Sequence, residues 1–212
     1  MRSINLHKTI LLASFLLALS TASFAQDQNI RGAVKSRDGL LIVWNEPDNN
    51  FTLYVKSISI EPIPNRNLAF LFDDKFLQIV SAQKNDFLTD AQKKQSLDEA
   101  AVLSAHRDWE SNYLSGELGE KLKIESEQIK LSNGKPALIW SFVPPKNSGT
   151  VKKQVFITVA SRVAIVVLNG ASTATVSEQA VRTFLLDTIN TLHLTEKPLS
   201  QADAVKMASK KN

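Results

Sequence analysis

The chain has 212 residues, a formal net charge of +4 and no cysteine. The missing cysteines exclude a disulfide framework and a lipid anchor attached to a cysteine. Its 25 Lys and Arg residues are interspersed with 21 Asp and Glu residues, so the small positive excess forms no basic tract and does not indicate nucleic-acid binding.

The first 25 residues have the three-part pattern of a cleaved secretory signal. Arg2 and Lys8 give a positive start, residues 10–19 (ILLASFLLAL) form an apolar run, and a Ser-Phe-Ala triplet ends at Ala25. The apolar run is too short for a bilayer-spanning helix, which takes roughly 20 residues, and no later segment is long and apolar enough. We therefore predict signal cleavage near Ala25 and a periplasmic or secreted mature protein.

What remains is the length of one domain, large enough to fold without disulfides or metal. Residues 26–38 are polar and are predicted to form a flexible lead-in. We assign residues 39–197 to a single domain and residues 198–212 to a basic C-terminal tail that frays.

The domain opens with two runs rich in β-branched and aromatic residues, 39–46 (GLLIVWNE) and 50–60 (NFTLYVKSISI). Pro47-Asp48-Asn49 between them has turn chemistry, which predicts a hairpin. Residues 67–84 contain two further apolar runs split by Asp73-Asp74-Lys75, which predict two short strands or one broken strand.

The first long helix is predicted within residues 89–118. Ser96, followed by acidic residues, resembles a helix start, and Gly116 and Gly119 end the pattern. Every fourth residue is apolar or small, and we expect this stripe to lie on a sheet. Its members are Leu97, Ala101, Ala105, Trp109 and Tyr113.

The last third of the chain has the clearest pattern. Residues 121–131 alternate, Asn133-Gly134 is a strong hairpin signal, and three apolar strands follow at 137–143, 154–159 and 163–168. Thr175 and Glu178 have capping-box spacing. A helix with a 3.6-residue apolar stripe then follows, formed by Val181, Phe184, Leu185, Thr188, Ile189 and Leu192.

This order of elements is several strands, a helix, four strands and a helix. It predicts an α+β fold with a mainly antiparallel sheet and two main helices packed on it. A doubly wound parallel sheet would need strands and helices to alternate one for one.

The layout resembles the PsbP-like and DcrB-like α/β/α sandwich family of exported proteins. The resemblance is carried by the hairpin at Asn133-Gly134-Lys135, the strands ALIWSFVPP, QVFITVA and VAIVVLNGA, the helix opening at Thr175, and less specifically the long helix before residue 118. It implies a sandwich fold and a small accessory or binding role, with no shared catalytic constellation.

Candidate chemical residues are few. His106 and Glu110 are four residues apart on the first long helix, and Glu99 and Glu117 fall near the same flank, a pattern that can hold a divalent ion. The carboxylates spread over about five turns, however, so we interpret this flank as a solvated edge and predict no metal site. His193 is predicted to end the last helix, where its charge would complement the helix dipole.

Other motifs indicate structure rather than catalysis. No G-x-S-x-G, G-x-G-x-x-G or Walker loop occurs, Ser115 falls at a helix end, and Asp73-Asp74 and Asp48-Asn49-Asn50 fall at turns. Trp44, Trp109 and Trp140 are predicted to be core residues. The alternative is that one of these tryptophans lines a pocket between a helix and a sheet.

We therefore expect no catalytic, metal or cofactor site. The favoured hypothesis is an exported, non-enzymatic accessory or binding protein of the cell envelope that acts through a protein partner. A small-ligand binder using a helix–sheet cleft is the alternative, and a metal-dependent enzyme is a weaker one.

Overall fold

The computed structural model describes residues 31–145 and 149–210. The predicted signal at residues 1–25, the first residues of the lead-in and the last two residues of the tail lie outside these ranges. No helix within the two ranges is long and apolar enough to cross a membrane.

Eleven strands and five helices make up the described ranges. The strands are β1 (Arg31–Lys35), β2 (Gly39–Glu46), β3 (Asn49–Lys56), β4 (Ile60–Pro62), β5 (Ala69–Phe72), β6 (Lys75–Gln83), β7 (Glu125–Lys130), β8 (Pro136–Phe142), β9 (Lys153–Ala160), β10 (Ala164–Ser172) and β11 (His193–Thr195). The helices are α1 (Lys84–Phe87), α2 (Asp90–Lys94), α3 (Glu99–Leu118), α4 (Glu178–Ile189) and α5 (Gln201–Lys210).

The strands form two antiparallel sheets. The smaller sheet has the order β1-β2-β3-β11, and the larger has the order β4-β5-β6-β10-β9-β8-β7. The α+β class with antiparallel strands is thus confirmed, although the strands are divided between two sheets. The division follows from the hairpin β2–β3, which is buried along nearly its whole length and therefore needs a covering layer on each side.

Three apolar clusters fill the spaces between the layers. The largest joins the inner faces of both sheets to one side of α4. A second lies between α3 and the outer face of the larger sheet, and a third lies between α5 and the outer face of the smaller sheet.

Two predicted loose segments are ordered parts of the smaller sheet layer, so these expectations were wrong. Within the lead-in, Arg31–Lys35 pairs with β2 as an edge strand. In the tail, α5 buries Ala204 and Ala208. The amide of buried Asn45 donates to the Leu199 carbonyl at 2.9 Å and accepts from the Leu199 N–H at 3.1 Å, which fixes the chain where it enters α5.

The last long helix, α4, also differs in its ends. Ser177, not Thr175, caps it by accepting a hydrogen bond from the Ala180 N–H at 3.2 Å. It ends at Ile189, so His193 is not at its terminus. His193 begins β11 and pairs with Thr52 of β3, a strand too short to show a sequence pattern.

Strand β10 continues through Asn169-Gly170, where the sequence indicated its end. A Cβ on Gly170 would lie 2.7 Å from Val181 Cγ1 and 3.3 Å from Leu185 Cδ1. Glycine stands here because α4 lies directly on the strand.

Candidate functional site

The long helix α3 presents a different face to the sheet than its sequence spacing predicts. Its fully buried side chains are Val102, Leu103 and His106. Trp109 and Tyr113, predicted to be core residues, are 38% and 56% exposed. Helix rotation is not the reason, since Tyr113 lies about 20° from Val102 around the helix; both aromatic residues follow the last fully buried side chain, His106.

Trp109 and Tyr113 together form what we call the α3 aromatic surface. Their rings stack with centroids 6.5 Å apart and an interplanar angle of 16°. The Trp109 ring also lies 6.3 Å from that of buried Phe87, so its inner edge is anchored in the core. Tyr113 has only Trp109 as a ring neighbour among the described residues. Two large rings therefore lie side by side at the protein surface, and Trp109 is packed on its inner edge.

His106 lies under this surface. It is only 1% exposed, and its ring meets Phe87 edge-on at 5.2 Å and Trp109 at 6.0 Å. Its Nδ1 atom is buried without a hydrogen-bond partner among the described residues. Burial lowers the pKa of His106 to about 4, so the imidazole is neutral at neutral pH. The predicted solvated edge is wrong for His106, because the stripe that enters the core is rotated toward it.

The three carboxylates predicted on the same flank are not gathered around His106. Glu99 forms an ion pair with Lys135 at 3.1 Å, and Glu117 is exposed near the end of the helix. Glu110 is half-buried, and burial raises the pKa of its carboxyl. Within residues 31–145 and 149–210, no group of three His, Cys, Asp or Glu side chains is placed to hold a metal ion.

The acidic turn residues have structural roles. Asp73 and Asp74 adopt positive φ values of 46° and 67°, as a tight hairpin turn requires. Asp73 Oδ1 accepts hydrogen bonds from the N–H groups of Ser59 at 2.8 Å and Ile58 at 3.2 Å. These bonds, Ser59 first, lower the pKa of the Asp73 carboxyl.

Ser115 is part of the helix end, as the sequence indicated. Its hydroxyl donates to the Ser111 carbonyl at 2.7 Å and accepts from the Leu122 N–H at 3.2 Å. The helix ends at Gly119, whose φ of 71° lies in the left-handed region.

The other two tryptophans are core residues, as predicted. Trp140 is fully buried and stacks on Phe156 with centroids 3.9 Å apart. Trp44 is 4% exposed and stacks on Phe51 at 5.4 Å.

The turn between β2 and β3 links the two sheets. The Asn49 amide donates to Ser81 Oγ at 2.8 Å, and its oxygen accepts from Ser161 Oγ at 2.9 Å. Beside it, Arg162 forms an exposed ion pair with Asp48 at 2.5 Å. The sequence marked this segment only as a turn, and its cross-sheet partners have no local signal.

A polar cleft of about 430 Å³ opens next to this link. It lies between the two sheets rather than between a helix and a sheet, where the sequence placed the alternative ligand site. Its lining residues are Asp48, Asn49, Asn50, Ser161, Arg162, Leu194, Thr195 and Glu196.

The fold and these surfaces define an α+β protein of two packed antiparallel sheets, with α3 and α5 on their outer faces and α4 packed against their inner faces. Among solved structures, it is similar to the solution structure of cyanobacterial PsbP (CyanoP) from Synechocystis sp. PCC 6803. The TM-score is 0.46 and the sequence identity 6%, covering 84% of this chain and 99% of that one. That solved structure is of the PsbP-like kind that the sequence resembles. No protein-family model matches the chain, and no curated protein matches it.

Proposed function

We propose that the protein is an exported, non-enzymatic accessory protein of the cell envelope that binds a protein partner through the α3 aromatic surface. The observation that carries the proposal is the position of Trp109 and Tyr113. They are stacked on one another and exposed in the second half of a helix whose fully buried side chains all lie in its first half. Tryptophan and tyrosine are enriched among the residues that dominate binding energy at protein interfaces.

Rigidity adds to the argument. Trp109 rests on Phe87 and His106, so it loses little rotamer freedom when a partner binds. Tyr113 is held in turn by Trp109. A preorganised aromatic pair keeps more of its contact energy as affinity than a mobile pair does.

The charges around the rings favour a basic partner. Glu110 lies three residues before Tyr113 and Glu117 four residues after it, so both carboxylates flank the same ring along the helix. Burial raises the pKa of the Glu110 carboxyl, and a cation placed beside it would stabilise its ionised form. We expect the partner segment to bear arginine or lysine, whose cationic groups also interact favourably with aromatic faces.

The non-enzymatic part of the proposal is supported by the roles of the perturbed titratable groups. His106 is neutral and packed among aromatic rings, and Asp73 binds turn amides. Lys153 joins Glu125 at 2.6 Å and Glu178 at 3.0 Å, and these partners, Glu125 first, raise the pKa of its ammonium. Each of these three groups has a structural role.

Site-specific photo-crosslinking tests the partner proposal. A photoreactive phenylalanine analogue replaces Tyr113 in one strain and Ile58, which is 99% exposed, in a matched strain of the source organism. We expect a crosslinked protein band from position 113 and none from position 58. The same band at both positions, or no band at position 113, would contradict the proposal.

Affinity for the crosslinked partner should then depend on the same ring. Tyr113→Ala should weaken binding roughly tenfold or more. The separate variant Glu117→Lys should also weaken binding, with the larger effect at low salt. Ile58→Ala is the control and should bind like the wild type. An interface elsewhere would leave the affinity of Tyr113→Ala unchanged.

Export rests on the signal pattern of residues 1–25 and has its own test. Mass spectrometry of the protein isolated from the cell envelope should show a mature N-terminus at Gln26. A protein that retains its first 25 residues in the cytoplasm would contradict export without bearing on the binding surface.

A further inference from the structure

A second cleft lies on the opposite side of the sheet junction, where the edge strand β1 faces β6 and the segment before β5. Its volume is about 450 Å³, which is within the usual range for small-molecule sites. Its lining combines an apolar wall with donor-rich polar groups. The apolar members are Trp44, Leu68, Ile79 and Val80, and the polar members are Arg31, Asn65, Arg66, Asn67, Gln78 and Ser81.

Positive charge dominates this lining. Among the residues that the structure describes, it contains two arginines and no aspartate or glutamate. Arg31 pairs with Glu46 and lies over the Trp44 ring, with its guanidinium carbon 4.4 Å from the ring centroid. Arg66 is exposed and has no side-chain ion pair within residues 31–145 and 149–210, so its charge is uncompensated there.

Trp44 lines the cleft and supplies a reporter for it. Its side chain is more than nine-tenths buried, and its indole N–H has no acceptor among the described residues. The indole N–H of Trp140 is in the same condition without lining this cleft, so the unpaired donor does not by itself identify a ligand.

We infer that this cleft binds a small amphipathic anion. Its carboxylate or other oxyanion pairs with Arg66, and its apolar part lies against Trp44, Leu68 and Val80. The planar guanidinium of Arg66 can present two parallel N–H groups to such an anion. Nothing in this inference depends on the α3 aromatic surface, which involves other elements.

The Trp44 N–H is the reporter for the test. In a nitrogen-15 NMR spectrum of the full mature chain, its indole cross-peak is assigned by its loss in Trp44→Phe. Three probes are titrated separately: benzoate, its neutral analogue benzamide, and inorganic phosphate. We expect benzoate to shift the Trp44 indole peak in a saturable manner and benzamide to leave it in place.

The phosphate titration separates the two sources of the anionic group. Saturable shifts with benzoate alone support the inference and show that the apolar wall takes part. Shifts with both anions also support it and show that charge recognition dominates. No saturable shift with either anion, or equal shifts with benzoate and benzamide, would overturn it.

Matched arginine variants locate the site. Arg66→Gln should weaken benzoate binding roughly tenfold, because it removes a charged hydrogen bond. Arg162→Gln removes an exposed arginine at the other cleft and should leave the benzoate affinity unchanged. Equal weakening in both variants would mean non-specific attraction to positive charge and would also overturn the inference.

Discussion

The helices α3 and α4 both pack on the larger sheet, but they use their apolar side chains differently. The 12-residue helix α4 buries Val181, Leu185 and Ile189 against both sheets. The 20-residue helix α3 buries its own stripe and leaves Trp109 and Tyr113 at the surface. The buried side chains of both helices stabilise the fold, whereas the exposed ring of Tyr113 adds little to stability.

Burial explains the difference. α4 contacts both sheets, whereas α3 is covered by the outer face of one sheet and by α1. The fully buried side chains of α3 end at His106. Tyr113, which lies beyond them and is exposed, contributes little to folding and is available for binding.

The largest expected effect is a loss of stability on truncating a buried side chain of α4, compared with an exposed ring of α3. Leu185→Ala on α4 should lower the free energy of unfolding by about 3 kcal/mol, since such changes in cores cost roughly 2–5 kcal/mol. Tyr113→Ala on α3 should lower it by less than about 0.5 kcal/mol. Urea denaturation followed by tryptophan fluorescence measures both, and equal losses would remove the distinction between the helices.

The close approach of α4 to β10 gives the second prediction. Gly170→Ala places a methyl group 2.7 Å from Val181 Cγ1, so it should destabilise the protein by about 2 kcal/mol through overpacking. The double variant Gly170→Ala/Val181→Ala should destabilise less than the sum of its two single changes, because the second change makes room for the methyl group. Strict additivity in urea denaturation would contradict a direct contact.

The third prediction concerns His106, under α3. Its pKa of about 4 in the folded state lies below the unfolded value of 6.5, so protons favour the unfolded chain as the pH falls below about 6.5. The free energy of unfolding should therefore fall by about 2 kcal/mol between roughly pH 7.5 and pH 5 on account of His106. His106→Leu should lose this component in urea titrations at the two pH values.

A variant at Glu110 tests the second buried group on α3. Glu110 acts in the opposite direction, because its raised pKa means that protonation favours the folded chain. Glu110→Gln should therefore steepen the loss on acidification, and a shallower loss would contradict the burial of Glu110.

The smallest expected effect is a gain on α3. A Cβ at Gly116 meets no atom within 4 Å, so Gly116→Ala should raise the free energy of unfolding by roughly 0.5–1 kcal/mol through helix propensity. Thermal unfolding provides the measurement. The opposite signs expected for alanine at Gly116 and Gly170 express the difference between an open helix flank and a close contact with a strand.

The sequence predicted those elements whose signals are local. The Asn133-Gly134 hairpin, the turn at Asp73-Asp74 and the buried strands of the last third are set by neighbouring residues. The stripe of α4 follows the true helical period, and the structure buries four of its six predicted members, Val181, Leu185, Thr188 and Ile189, while Phe184 and Leu192 are partly buried.

What the sequence missed depends on distant contacts. Strands β1 and β11 are short and acquire their structure from β2 and β3. The helix α5 is held by the amide of Asn45, far away in the chain. The aromatic pair on α3 was misplaced for a different reason than helix rotation, since 100° per residue puts Tyr113 about 20° from Val102. Full burial on α3 stops at His106, and contacts distant in sequence decide which turns of a helix are covered.

The pairing of β11 with β3 has a consequence for biosynthesis. The smaller sheet combines the beginning of the folded chain with residues close to its end, since His193 lies beside Thr52. That sheet stays incomplete until almost the whole polypeptide has left the ribosome. Contacts of such long sequence separation slow folding. The edge of β3 that pairs with β11 therefore stays unpaired until β11 has been synthesised.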